Sequence, residues 1–267
     1  MTTKVTIALA ALGIGALLLG ACSDDGSDRG AGDSSSSPTA SSSSSSSSSG
    51  STSSPGAGDF ASLSGEEIAA AAERDMKALK SATISGTVTN DGQETTIELR
   101  ASGAGDCTGS VGVDRGSAEL LGVDGKIWIR PDKAFWQSFA NGNVDRILQI
   151  VGDKWVRLPG ADDTFEDFCN LDALLDELFD SNDDGATYEK AAEQEVDGEQ
   201  VIPVDVTDTD EQAASTGYVR VDSPHYLVRL DRTEGEDSGT LSFSEFDEAL
   251  DVTAPDPDDV VDLGSVS

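Results

Sequence analysis

Three cysteines and one histidine are the residues of this 267-residue chain with the most distinctive chemistry. Cys22 follows the small residues Gly20 and Ala21, at the end of an apolar run, 5–21, that contains no charged side chain and is preceded by Lys4. A short apolar run with a positive charge before it and small residues at its end is typical of a secretory signal peptide. The sequence therefore predicts a signal peptide over residues 1–21.

The residues around Cys22, Leu-Gly-Ala-Cys, resemble the lipobox of bacterial lipoproteins. In that family the cysteine thiol receives a diacylglyceryl group, the peptide is cut before the cysteine, and further acylation is by fatty acids such as palmitate. The alternative is an uncleaved membrane anchor, but about 17 apolar residues are at the short limit for spanning a bilayer. The resemblance implies a lipoprotein that is held by its lipid anchor on the extracytoplasmic face of the cell membrane, because two or more acyl chains bind a membrane almost permanently.

The other two cysteines, Cys107 and Cys169, are expected to form a disulfide bond. An isolated pair in an oxidising compartment usually does so, and closing a loop of about 60 residues stabilises a fold by roughly 4 kcal/mol in the chain-entropy model. The alternative is a redox or nucleophilic pair. It is disfavoured because there is no CxxC spacing and no histidine or basic cluster beside either cysteine.

No arrangement typical of an enzyme or a metal site is visible. The single histidine, His225, lies in a Ser-Pro-His-Tyr turn without a GxSxG-like elbow elsewhere, so we expect a solvent-facing turn residue and no catalytic base. The string Asp180–Gly185 places oxygen ligands as a calcium loop does, but Ala191 stands where that loop needs glutamate. We expect a polar loop there, and neither a metal ion nor a cofactor.

The charge of the chain excludes one class of partner. It has 51 acidic and 17 basic residues, a formal net charge of −34. Residues 59–267 alone have 47 acidic and 15 basic residues. Binding to nucleic acid requires a basic face, so we expect no nucleic-acid partner. Direct adhesion to anionic lipid headgroups is equally unfavourable, and the covalent lipid is the predicted contact with the membrane.

Residues 22–58 are predicted to be a lipidated, disordered tether. They are almost entirely Ser, Gly, Asp, Pro and Thr, with nine consecutive serines at 41–49, and offer too little apolar surface to offset the entropy of ordering. A chain of this length spans roughly 33 Å as a random coil and about 120 Å when stretched. The tract is either a plain spacer or, as Ser/Thr/Pro-rich segments often are, a glycosylated stalk.

Residues 59–267 are predicted to form one α+β domain. A capping box at Ser64 opens a helix to about Lys80, and three short amphipathic helices rich in aromatic residues lie in the middle of the chain. Alternating apolar residues and turn signals predict antiparallel strands around these helices. The expected strands are a hairpin over 84–99, then 108–114, 117–123, 126–130, 186–195, 199–207, 216–222, 225–232 and 238–244, before a final apolar segment at 260–263.

Short motifs along the domain resemble the actinobacterial lipoproteins of the LppX/LprG type. They are the run from Ser81 (SATISGTVTNDGQETTIELRAS), Gly-Lys-Ile-Trp-Ile at 125–129, Asp-Lys-Trp-Val at 153–156, and the ending Leu-Ser-Phe-Ser-Glu-Phe-Asp at 241–247 with Val-Thr-Ala-Pro at 252–255. That family has the fold of the LolA/LolB lipoprotein carriers. The resemblance implies a single LolA-like domain, in which a curved antiparallel sheet forms an incomplete barrel and is capped by short helices over an apolar cavity.

The resemblance also implies a function, because better-known members carry acylated lipids towards the outer envelope. We expect a monomer that binds an acyl-lipid or glycolipid cargo. The alternative is a wall-associated structural or protein-interaction lipoprotein with a solid core, since hollow and filled interiors use the same residue types. The candidate cavity residues are apolar side chains of the predicted sheet and helices: Ile127, Ile129, Trp136, Phe139, Phe165, Phe168, Leu171, Val219, Val221, Leu241 and Phe243.

Overall fold

A long β-sheet and a few short helices make up the described part of the chain. The computed structural model describes residues 57–90, 92–139, 144–157, 168–180, 185–208, 213–234 and 237–263, and these residues fall within one compact unit. The predicted signal peptide and nearly all of the predicted tether, Cys22 included, lie outside the described residues. Those two segments and the domain boundaries therefore stay predictions.

The helices are short and the strands are numerous. The helices are α1 (Ala57–Phe60), α2 (Gly65–Met76), α3 (Lys133–Phe139), α4 (Val144–Val151) and α5 (Leu171–Asp180), with a 3-10 turn at Pro257–Asp259. The strands are β1 (Ser81–Asn90), β2 (Gln93–Ser102), β3 (Cys107–Val113), β4 (Gly116–Val123), β5 (Lys126–Pro131), β6 (Trp155–Arg157), β7 (Ala186–Lys190), β8 (Gln194–Val196), β9 (Glu199–Asp208), β10 (Ala213–Arg220), β11 (Leu227–Glu234), β12 (Asp237–Ser244) and β13 (Val260–Asp262).

All of these strands belong to one sheet that is not closed into a barrel. Its order is β13-β6-β5-β4-β3-β2-β1-β12-β11-β10-β9-β7, with β8 paired to β9. The predicted α+β class with an incomplete barrel is thereby confirmed. The sheet is mixed rather than wholly antiparallel, because the final apolar segment forms β13 and pairs in parallel with β6. In the described residues no helix is long and apolar enough to cross a membrane.

The capping box predicted at Ser64 is present and starts α2. The Ser64 hydroxyl accepts a hydrogen bond from the Glu67 backbone N–H, and the Glu67 carboxylate accepts from the Ser64 N–H. These bonds from Ser64 lower the pKa of the Glu67 carboxyl. Because the four first N–H groups of a helix lack partners within it, such caps fix where a helix begins. The apolar face that follows, with Ile68, Ala72 and Met76 buried, covers the sheet.

One predicted strand is interrupted. Residues 186–195 were expected to be continuous, but β7 ends at Lys190 and β8 begins at Gln194. Opposite this gap lies Pro203 of β9, which accepts a hydrogen bond from the Ala191 N–H at 2.9 Å. Proline has no N–H to donate in return. The regular pairing on this side of β9 therefore stops and resumes three residues later.

Candidate functional site

An apolar cavity of about 740 Å³ lies between the sheet and the helices α2 and α5. Most of its lining comes from the β1, β2 and β9–β12 strands, while β3–β6 contribute nothing to it among the described residues. The part of the sheet that carries α3 and α4 is instead packed into the solid core. The cavity is thus confined to one half of the fold.

Strand register explains the sheet side of the cavity. Residues two apart on a strand face the same side, and residues paired directly across neighbouring strands share that side. One such row across five strands is Val88, Gly239, Arg232, Ser215 and Val206. The next row contains Gly86, Leu241, Leu230, Gly217 and Val204. All of these except Gly86 line the cavity.

Small side chains account for much of the open volume. On α2 the lining residues include Ala69, Ala70 and Ala72, so this helix covers the sheet without filling the space beneath it. On β10 a Cβ added to Gly217 would meet only Leu227 Cδ1, at 3.2 Å, within 4 Å. A larger side chain at this glycine would therefore have to enter the cavity.

Larger apolar side chains of α5 close the opposite wall. Leu174, Leu175, Leu178 and Phe179 line the cavity from this helix. The disulfide predicted between Cys107 and Cys169 is present, with its sulfur atoms 2.02 Å apart. It joins β3 to the residues immediately before α5. Both cysteines are buried, so the start of α5 is fixed covalently to the sheet inside the core.

Charged groups among the lining residues are few and mostly acidic. Glu66 and Glu73 belong to α2, Glu177 belongs to α5, and Arg232 lies on β11. Glu66 and Glu177 are exposed, whereas Glu73 and Arg232 are half-buried. Glu73 pairs with Lys77 Nζ at 3.1 Å, and the same ammonium pairs with Asp176 of α5, also at 3.1 Å. Arg232 also has an interaction partner within the protein.

The predicted cavity residues fall into three groups. Phe168, Val219, Leu241 and Phe243 line the cavity. Ile127, Ile129, Trp136, Leu171 and Val221 are buried in the core and are absent from the described lining. Phe165 and the side chain of Phe139 lie outside the described residues. Whether any of these side chains contacts a lipid stays a prediction.

Several lining residues were not predicted from the sequence. They include small or charged side chains, among them Ala69, Ala70, Gly217, Glu66 and Arg232, and also apolar residues such as Val204, Leu227 and Leu230. The alternation in β10 places Gly217 on the same face as Val219, so a sequence signal existed for this glycine, whereas Ala69 and Ala70 lie outside the buried face of α2 and had none. Small residues on a covering face are equally typical of close helix–sheet packing, and the signal is therefore ambiguous.

His225 is buried, and its predicted exposure to solvent is wrong. It is 2% exposed and stacks on Phe60 of α1, with ring centroids 3.6 Å apart and an interplanar angle of 5°. Its backbone N–H donates to Asp75 Oδ2 at 2.7 Å, and Nδ1 lies 3.2 Å from the Arg220 carbonyl oxygen. His225 is buried because Phe60 of α1 and Asp75 of α2 lie against it, a long-range contact that the local sequence does not encode.

Groups that hold metal ions are absent from the described ranges, where no set of three or more His, Cys, Asp or Glu side chains has a suitable arrangement. The calcium-like string is only partly covered, because 181–184 are outside the described residues. The prediction that the protein is not an enzyme stays a prediction.

The sheet, its covering helices and the cavity define an α+β half-barrel with an apolar interior on one side. No family model and no curated protein matches this chain. Among solved structures, LprF from Mycobacterium bovis is similar at 15% identity, covering 72% of this chain and 96% of that chain, with a TM-score of 0.51. This similarity shows a shared fold, and it confirms the fold expected from the resemblance to LppX/LprG-type lipoproteins.

Two other solved structures are more distantly similar. The lipoprotein LppX from Mycobacterium tuberculosis is 15% identical, covers 70% of this chain and 99% of that chain, and has a TM-score of 0.47. A LolA superfamily protein from Nitrosomonas europaea is 10% identical, covers 72% of this chain and 96% of that chain, and has a TM-score of 0.23.

Proposed function

We propose that this protein is an extracytoplasmic lipoprotein, anchored through Cys22, that binds or carries an acylated lipid in the cavity between α2, α5 and the sheet. The observation that carries the proposal is the open volume of about 740 Å³ with a predominantly apolar lining. Ligand pockets occupy roughly 300–1,000 Å³ and are mainly apolar with a few polar groups. The cavity has this size and this composition.

The volume suits one long acyl chain, or parts of two. A group about the size of a water molecule takes roughly 30 Å³, so the cavity accommodates on the order of 20 methylene-sized groups. Each methylene removed from water contributes about 0.8 kcal/mol. Binding of such a chain therefore requires only the empty volume, without catalytic or coordinating groups.

The proposed anchor and tether fit this function. Acyl groups on Cys22 would keep the protein where lipids are available, and a random-coil tether of roughly 33 Å would let the domain move between the membrane and nearby surfaces. A structural or protein-interaction lipoprotein without cargo is the alternative. The two functions differ in whether the cavity is occupied by lipid, which can be measured.

A larger side chain at Gly217 tests the proposal. We expect Gly217→Leu to weaken the binding of a fluorescent fatty acid at least tenfold, because the added side chain occupies the space of several methylenes. The measurement is a fluorescence titration of the chain from residue 22 carrying Cys22→Ala, so that it is recovered without acyl groups. Thermal melting of the same samples shows that the fold is retained.

Gly112→Leu is the matched control. Gly112 also lies within a strand, β3, and an added Cβ there would make only ordinary contacts, the nearest at 3.5 Å to Thr96 Cβ. It does not line the cavity in the described structure, so binding should be unchanged. Equal binding by both variants and the parent would contradict the proposed site. Reproducible absence of binding by the parent, with no lipid found by native mass spectrometry, would favour the cargo-free alternative.

A further inference from the structure

A second pocket, of about 320 Å³, lies on the face of the sheet opposite to the apolar cavity. Leu99 of β2 lines the cavity, so its neighbours Glu98 and Arg100, which line the second pocket, belong to the other face. We call this second pocket the outer groove, and its described lining is Thr83, Glu98, Leu99, Arg100, Thr108, Gly109, Ser110 and Glu245. It is a site that the apolar cavity does not use.

Strand register places charged and hydroxyl side chains next to one another in the outer groove. Arg100 pairs with Thr83 of β1 and with Thr108 of β3, and Glu98 pairs with Ser110 of β3. Because neighbouring strands are about 4.8 Å apart, the two threonines flank Arg100 over a span of roughly 10 Å. The groove therefore presents hydrogen-bond donors and acceptors side by side on three adjacent strands.

Part of this arrangement is held by contacts within the protein. Thr83 Oγ1 donates a hydrogen bond to Glu245 Oε2 at 2.6 Å, and Arg100 Nη1 lies 3.5 Å from the same oxygen. Arg100 Nη2 lies 3.4 Å from Glu248 Oε2. The residues that pack around these groups are strands of the sheet, so the polar atoms of the groove are positioned before any ligand arrives.

The charges around the outer groove disfavour an anionic ligand, and its lining disfavours an apolar one. Glu245 and Glu248 both contact Arg100, and Glu98 lines the same groove, so three carboxylates accompany one guanidinium. A phosphate or carboxylate would be repelled there. Leu99 is the one large apolar residue in the described lining, and it is 2% exposed. The described ranges also contain no group of acidic side chains arranged to hold a metal ion.

We propose that the outer groove binds an uncharged sugar unit of a polysaccharide. Each sugar hydroxyl both donates and accepts hydrogen bonds, so it can donate to the Glu98 carboxylate and accept from the hydroxyls of Thr108 and Ser110. At roughly 30 Å³ for each water-sized group, the groove takes on the order of 10 such groups, about one sugar ring. Its polar lining residues are exposed or half-buried, so neighbouring rings of the same polysaccharide can continue across the sheet.

The experiment is a titration followed by nuclear magnetic resonance of the labelled chain from residue 22 carrying Cys22→Ala. The probes are two neutral sugars, the trimers of N-acetylglucosamine and of glucose, and one anionic sugar, the trimer of galacturonic acid. We expect a neutral trimer to shift backbone amide signals of β1, β2 and β3 around the groove. The expected Kd is on the order of 1 mM, because hydrogen bonds made in competition with water add little net affinity. The anionic trimer should cause no such shifts.

Removal of two hydroxyl groups then locates the site. The variant with Thr108→Val and Ser110→Ala should bind the neutral trimer at least fivefold more weakly, because two hydrogen bonds to the sugar are lost. The matched control carries Thr87→Val and Ser242→Ala, which removes two hydroxyls from the same face of the sheet outside the described groove lining. Its affinity should be within about twofold of the parent. Thermal melting of each sample shows that the fold is retained.

Each contrary result has a distinct meaning. Shifts by neither neutral trimer at roughly 20 mM, well above the expected Kd, would overturn the proposed site. Equal weakening by the two double variants would overturn it as well, since binding would then lie elsewhere. Tighter binding of the galacturonic acid trimer that is lost in Arg100→Gln would replace it by an anion site at that arginine. Fatty-acid binding is measured separately and involves the opposite face of the sheet, so the lipid and sugar proposals can fail independently.

Discussion

Asp231 is held by hydrogen bonds on the sheet face opposite to the cavity, since its neighbour Arg232 lines the cavity. Its carboxylate accepts from Arg229 Nε and from Thr240 Oγ1, both at 2.8 Å. Burial raises the pKa of Asp231, but the bonds from Arg229 and Thr240 outweigh it, and the pKa is lowered overall. The same carboxylate contributes, after burial, to the raised pKa of Tyr218. This cluster joins β10, β11 and β12 behind the cavity.

The lowered pKa predicts a pH-dependent contribution to stability. A carboxyl group whose pKa is lower in the folded state stabilises the protein above its unfolded pKa, about 3.9, and this contribution is lost as the pH falls through the folded pKa. We expect Asp231→Asn to reduce the free energy of unfolding by about 1 kcal/mol at pH 7. The reduction should shrink below pH 4, as measured by urea unfolding.

Asp251→Asn at an exposed position is the control for this measurement. It should leave the free energy of unfolding nearly unchanged at both pH values. A deficit in Asp231→Asn that is constant from pH 7 to pH 3 would show that the side chain acts through packing and not through its charge.

At the scale of single residues, the sequence predicted the disulfide bond but not the burial of His225. The pairing of Cys107 with Cys169 followed from cysteine count and compartment. The burial of His225 did not follow, because its ring is covered by Phe60, which is far away in the sequence. Burial of a lone turn residue depends on which distant element folds over it, and no local pattern carries that information.

At the scale of elements, periodicity predicted most of the described helices and strands, but α1 and β6 were not predicted and β13 was expected only as an apolar segment. The capping box, the hairpin turns and the alternation of apolar residues are local signals, and they gave the right type of element. The break between β7 and β8 depends on Pro203 in a neighbouring strand, so it could be seen only once the pairing was known. The sequence could not show whether the interior contains a cavity, because an apolar face has the same residue types over a filled interior and over an empty one.

The disulfide is expected to stabilise the element that closes the cavity. Cys169 precedes α5, whose leucines form one wall, and Cys107 fixes that point to β3. Replacing both cysteines by alanine should cost a few kcal/mol in the free energy of unfolding. It should also speed lipid release, because α5 would separate from the sheet more often. The measurements are urea unfolding and displacement of a bound fluorescent fatty acid.

The burial of both cysteines in the folded protein provides a control for the disulfide prediction. Both cysteines are at most 1% exposed, so a mild reductant that is added to the folded protein and removed before unfolding should change neither stability nor release. Two free thiols titrating in purified, unreduced and denatured protein would contradict the disulfide. Unchanged release by the double-alanine variant would contradict its role in holding α5.

At the scale of the whole molecule, strong acidity and proposed membrane residence have to be reconciled. With a net charge of −34, the chain is repelled by anionic lipid surfaces, so its own side chains offer no general electrostatic attachment. The described helices also lack a candidate membrane span. The attachment that we propose for the membrane is the covalent lipid predicted at Cys22.

Loss of the Cys22 thiol should consequently abolish membrane retention of the processed chain. Lipidation requires that thiol, and acyl chains contribute about 0.8 kcal/mol per buried methylene to membrane binding. We expect the full chain with Cys22→Ala to appear in the culture medium or to remain unprocessed, as seen by fractionation and by intact mass. Cys107→Ala is the matched control, because it removes a different cysteine and should remain with the membrane. Tight membrane association of a correctly cleaved Cys22→Ala protein would contradict lipid anchoring, and it would require a membrane-binding surface on the acidic domain.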